Sequence, residues 1–90
     1  MPQFFLHLIV PDGVVHDSEG SSYPDLTSAK TVAIRALREI VSERLMNGLD
    51  LDVDGIQIAG ADGELLVTVT VLEAVAPTIT AEMFQGSEDH

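Results

Sequence analysis

Gln3-Phe4-Phe5-Leu6-His7-Leu8-Ile9-Val10 opens the chain with a run of β-forming side chains bounded by Pro2 and Pro11. Alternation predicts a strand with Phe4, Leu6 and Leu8 on one face. Phe5 and Ile9, flanking His7, take the other. Asp12-Gly13 predicts a two-residue hairpin turn, because glycine accepts the positive φ of the primed turns. Val14-Val15-His16 is then the returning strand, and Ser18 to Ser22 reads as loop.

Tyr23-Pro24-Asp25-Leu26 leads into a helix. Pro24 holds Tyr23 extended. Asp25 can accept from the free N–H groups of a first turn and suits the helix dipole, with Thr27 a second candidate cap. From Ser28 to Met46 the apolar residues Ala29, Ala33, Ala36, Leu37, Ile40, Val41 and Leu45 recur at steps of three and four. Asn47-Gly48 supplies a left-handed stop. Gly55 to Ala59 alternates like a strand, and Asp62-Gly63 predicts a second hairpin turn. Leu65 to Leu72 follows, with Val67, Val69 and Val71 on one face and Leu66, Thr68 and Thr70 on the other. The order ββαββ predicts an α+β domain over residues 1–76, with one helix packed on one face of a four-stranded, mostly antiparallel sheet. Residues 77–90 read as a C-terminal extension, partly docked or frayed, in which Ile79 and Met83 could dock one helical turn.

At 90 residues the chain has room for one core. It has no cysteine, which excludes disulfides and thiolate metal sites as staples and fits a cytoplasmic protein. No signal-type segment opens the chain, and Gln3 to Val10 is too short to span a bilayer. Fifteen acids against four bases give a net charge of −11, which repels phosphate backbones and anionic lipid. Neither nucleic acid nor membrane is therefore expected as a partner. The bases Lys30, Arg35, Arg38 and Arg44 all fall on the predicted helix. With Glu39 and Glu43 among them, they read as a solvated mixed-charge face.

Two constellations touch on metal chemistry. Asp50-Leu51-Asp52-Val53-Asp54-Gly55 opens like a calcium loop, with carboxylates at the first, third and fifth positions and glycine at the sixth. The bidentate glutamate due at the twelfth is Ala61, and Gln57 stands where an aliphatic side chain is usual. Asp50, Asp52 and Asp54 are thus expected to form a solvated acidic loop. With Asp12-Gly13 as the turn, Ile9 faces His16 and His7 is its diagonal neighbour. Asp17 then points to the other face, and a third metal ligand is missing. No nucleophile stands in a recognisable setting and no glycine-rich phosphate loop occurs. A non-enzymatic protein without a cofactor is the expectation.

The ordered motifs resemble a family of short, uncharacterised bacterial proteins, a domain of unknown function. They are Phe4-Phe5-Leu6-His7-Leu8 with Asp12-Gly13, then Asp17-Ser18-Glu19-Gly20 and Pro24-Asp25-Leu26 with Ala29. Arg38-Glu39, Leu51-Asp52 with Gly55, and Asp62-Gly63 with Thr68-Val69 follow. The resemblance runs from Met1 to about Val75 and implies a small α+β domain and no known activity. Tyr23-Pro24-Asp25-Leu26 alone is also similar to HicB-type antitoxins, which implies an acidic regulator that binds a basic protein partner.

A four-stranded sheet with one helix leaves a face uncovered, and Gln57, Thr68 and Thr70 make a suitable polar surface there. Phe5 and Ile9 beside His7 do not. Either Ile79, Met83 and Phe84 cover them or a partner does. Phe5, His7, Ile9, Thr68 and Thr70 are thus the candidate interaction face, and the expected partner is another protein or a second copy of the chain.

Overall fold

The computed structural model describes residues 1–77, so the expected docking of Ile79, Met83 and Phe84 lies outside the described residues. The elements run β1 (Gln3–Val10), β2 (Gly13–Val15), β3 (Ser21–Ser22), α1 (Leu26–Asn47), β4 (Gly55–Gly60), β5 (Leu65–Thr70) and α2 (Val71–Pro77). All pairings are antiparallel, in the order β2-β1-β4-β5, with β3 also against β1. The fold is α+β as the pattern predicts, with two elements the pattern did not show, β3 and α2.

α1 forms where its caps allow. Asp25 Oδ1 accepts from the Ser28 N–H at 2.8 Å. At the other end Gly48, at φ +65, lets N–H groups return to the Arg44 and Leu45 carbonyls. Ala29, Ala33 and Leu37 are fully buried, and the two alanines let the helix backbone approach the sheet closely. They meet Phe4, Ile56, Ile58 and Val69, with Leu6, Leu8, Val67 and Ile40 packed around them. Each large side chain buried here contributes about 1.5–3 kcal/mol. Leu45 departs from the predicted stripe: it is 76% exposed.

The first turn is displaced by one residue from the expected place. Val10 pairs with Gly13, Ile9 with Val14 and Leu8 with Val15, so the loop is Pro11-Asp12. Proline pre-sets the φ of a second turn position, and Asp12 has a negative φ, which excludes a primed turn. Gly13, at φ +152, opens β2 in a conformation that glycine tolerates. The second hairpin closes with a three-residue loop. Gly63 N–H donates to Gly60 and Gly60 N–H to Glu64, both at 2.9 Å, and Gly63 has φ +85.

The last strand stops at Thr70 where alternation runs on to Leu72. Glu73 Oε1 accepts from the Thr70 N–H, and Thr70 Oγ1 accepts from the Glu73 N–H, each at 3.1 Å. That reciprocal pair is a capping box, and it starts α2. Ala74 of α2 is fully buried, and its carbonyl accepts from Arg38 Nε at 2.7 Å. Arg38 is therefore not just part of a solvated face.

Candidate functional site

β1 presents Phe5, His7 and Ile9 away from both helices. None of the three belongs to the core cluster that Phe4, Leu6 and Leu8 join from the opposite side of the strand. The expected division of faces holds. Register fixes their neighbours: Phe5 lies opposite Ala59, His7 opposite Gln57 and Ile9 opposite Gly55 on β4. On β5, Thr68 lies opposite Gln57 and Thr70 opposite Gly55. The five candidate residues thus share one surface.

That surface has a polar row between apolar flanks. Extending the Leu8–Val15 register by one step puts His16 directly across from His7, not diagonal to it, and the ring centroids are 4.9 Å apart, edge to face. The row across the strands is His16, His7, Gln57, Thr68. Phe5 stacks beside His7 at 6.3 Å on one flank. Ile9 and Val14 pair on the other.

A loop closes the edge beside β1. Asp17 does not point away from the histidines. Its backbone N–H donates to His7 Nδ1 at 3.0 Å. Its carboxylate accepts from the N–H groups of Leu6 at 3.2 Å, Gly20 at 3.1 Å and Glu19 at 3.3 Å. The side chain does the work of a missing stretch of strand between β2 and β3. Burial pushes the Asp17 carboxyl up, but those N–H groups together outweigh it and hold it below the usual value. Gly20 has φ +72, and a Cβ there would lie 2.9 Å from Phe5 Cε2, so the loop lies against the Phe5 ring. Phe5 is therefore half-buried.

The bond from Asp17 also decides what His7 can do. An imidazole nitrogen that accepts carries no proton, so in the neutral ring the proton sits on Nε2. Neither nitrogen is then a ready metal ligand. Among the described residues no three or more His, Cys, Asp or Glu are placed to hold a metal ion.

The acidic segment is differently built from a calcium loop. Arg44 Nε and Nη2 both lie 3.3 Å from Asp52 Oδ1, and Arg44 Nη1 bonds Glu43. Val53 is buried in the core. Asp54 is already in ladder contact, its N–H on the Ile9 carbonyl and its own carbonyl accepting from Val71. Gly55 makes no positive-φ turn. It is a glycine because a Cβ there would collide with the Val69 carbonyl oxygen and lie 3.1 Å from Thr70 Cα. Asp50 and Asp54 are exposed, and the Asp52 carboxylate is held by Arg44.

Tyr23-Pro24-Asp25-Leu26 has structural employment throughout. Tyr23 N–H bonds the Pro2 carbonyl, its ring lies 6.2 Å from that of Phe4, and Asp25 caps α1. Sequence reasoning missed Asp17, which binds backbone far along the chain, and Glu73, whose Thr-x-x-Glu spacing was visible.

Among the described residues no helix is long and apolar enough to cross a membrane. No curated protein and no solved structure matches the chain. A family does match residues 3–73, from the start of β1 to the capping glutamate of α2. The chain belongs to that family, described as a domain of unknown function, DUF6894.

Proposed function

We propose that the domain is a non-enzymatic, cytoplasmic protein-interaction module that docks another protein, or a second copy of itself, on the sheet face opposite its helices. One observation carries the reading. Phe5 and Ile9 flank His7 on a face outside the core cluster, where solvent alone would favour polar side chains. The polar row of His16, His7, Gln57 and Thr68 gives a docked surface direction and register. The test compares the wild-type protein with Ile9→Lys by sedimentation velocity and by affinity capture with mass spectrometry. An assembly lost in the variant, at unchanged melting temperature, supports the reading. The absence of any assembly or captured protein that depends on Ile9 removes it.

A second reading is an antitoxin-like regulator that holds a basic partner. The charge of −11 favours it, and Arg44 and Arg38 are engaged within the fold, leaving the acidic surface little neutralised. Complementary charge would steer such a partner and make the complex salt-sensitive. A complex that dissociates as salt rises favours this reading, and one that tightens favours the apolar face.

A further inference from the structure

β5 ends the sheet, and among the described residues no strand pairs with its outer side. Which groups it offers follows from the ladder. Val71 N–H donates inward to Asp54 at 2.9 Å, and Thr70 N–H turns away to Glu73. Backbone groups alternate sides along an antiparallel strand. Val67 and Val69 therefore bond β4, and Thr68 points both its N–H and its C=O outward.

Edges of this kind are normally blunted by lysine, proline or inward charge. Leu65-Leu66-Val67-Thr68-Val69-Thr70-Val71-Leu72 contains none of these, in a chain with a net charge of −11. The register shift between Ile58 and Ala59 leaves Leu66 as the extra residue of a bulge, so the regular edge runs from Val67 to Thr70. Apolar surface brackets the strand as well: Leu65, Leu66 and Leu72 are 52%, 42% and 72% exposed.

We infer that β5 is a self-pairing edge, on which a second copy of this chain adds its own β5 in antiparallel register about Thr68. The choice of occupant follows from charge and symmetry. This uncharged strand is where two such acidic chains meet with least repulsion. Centred on Thr68, the strand is self-complementary. Thr68 exchanges both groups with the partner's Thr68. Half-buried Val67 comes beside the partner's Val69. The sheet then continues across the two-fold axis, with the apolar layers of the two domains adjoining. The inference rests on the reading of an interaction module but places self-contact on the edge, leaving the Phe5–Ile9 face free.

Sedimentation equilibrium over about 1–100 µM, a range that spans typical weak dimers, tests it on the full chain. The wild type is expected at twice its 9.6 kDa mass. Thr68→Pro removes only an outward N–H, which an edge strand tolerates, and raises the dissociation constant at least about tenfold. Thr68→Ala keeps that N–H and stays dimeric, as does Ile9→Lys. Circular dichroism establishes that each variant is folded. If Thr68→Pro fails to fold, Thr68→Asp replaces it, setting like charges across the axis with the same expected loss. Raising salt tightens the dimer, because the chains repel. A monomeric wild type overturns the inference. So does a dimer that survives both Thr68→Pro and Thr68→Asp. A dimer lost only in Ile9→Lys overturns it too, while supporting docking on the open face.

Discussion

The backbone N–H of Asp17 donates to Nδ1 of His7 at 3.0 Å across the gap between β2 and β3, and so sets which nitrogen of that ring holds its proton. A long-range proton–nitrogen correlation spectrum at about pH 8, above the ordinary histidine range, is expected to show His7 as the Nε2–H tautomer. Equimolar zinc should leave both His7 and His16 resonances in place, since His7 cannot ligate without losing this bond. A His7 protonated at Nδ1, or saturable zinc shifts at both rings, contradicts the arrangement.

The carboxylate of Asp17 serves three backbone N–H groups. Asp17→Ala should cost about 1–3 kcal/mol by denaturant unfolding, toward the lower figure because the site is half exposed. The acid dependence has a definite sign. The folded carboxyl lies below the usual value, so on acidification the unfolded chain takes up this proton first. The stabilisation is complete above about pH 3.9, the ordinary aspartate value, and disappears as pH falls through the lower folded value. Wild type and Asp17→Asn should therefore converge in stability in that acid window. A gap that persists unchanged below it would show that ionised Asp17 is not the acceptor.

Much of this was legible in the sequence, and the failures have physical causes. Asp25 and Gly48 bound α1 as read, because caps act on neighbours within one turn. Period two assigned Phe5, His7 and Ile9 to one face correctly. The first turn was misplaced because Pro11-Asp12-Gly13 contains two overlapping turn signals, and Pro11 with its fixed φ prevails over the Asp-Gly pair. β3 was missed because it is two residues, Ser21–Ser22, paired with Gln3 and Phe4 of β1, too short to leave a periodic trace. α2 was missed because Val69, Val71 and the residues between them continue a strand pattern over the Thr70–Glu73 capping box. Asp50 to Asp54 was read as a solvated acidic loop; what spacing does not encode is the contact of Arg44 on α1 with Asp52.

Gly55 illustrates a glycine required by space and not by φ. Gly55→Ala forces a methyl group against the Val69 carbonyl and the Thr70 backbone. The expected loss is about 1–3 kcal/mol, as for overpacked sites generally. Chemical denaturation measures it, and a change within about 0.5 kcal/mol, the usual range of neutral surface substitutions, contradicts the close approach of β4 and β5.

Thr70→Ala removes one half of the capping box that turns β5 into α2. A loss of about 1 kcal/mol is expected, typical for a cap hydroxyl. Hydrogen exchange should quicken at Glu73, whose N–H loses its acceptor, and leave Ile58 unaffected. Uniform acceleration through β4 would show that the box supports the whole sheet instead.

Calcium offers a further check. Asp52 is bonded to Arg44 and Asp54 is tied into the sheet backbone. An NMR titration is expected to show no saturable shifts confined to Asp50–Gly55 below about 100 µM calcium, the range of sensor and buffer sites. Such shifts would mean that the segment rearranges around a cation.

The central claim is that the face of Phe5, His7 and Ile9 is a protein-docking surface. Placing a photo-crosslinking benzoylphenylalanine at Ile9, and separately at Glu39 on the exposed side of α1, and irradiating living cells tests it most directly. The account predicts covalent adducts of one defined composition from position 9, whether with another protein or with a second copy, and none from position 39. No adduct from position 9, or equal yields from both positions, would contradict it.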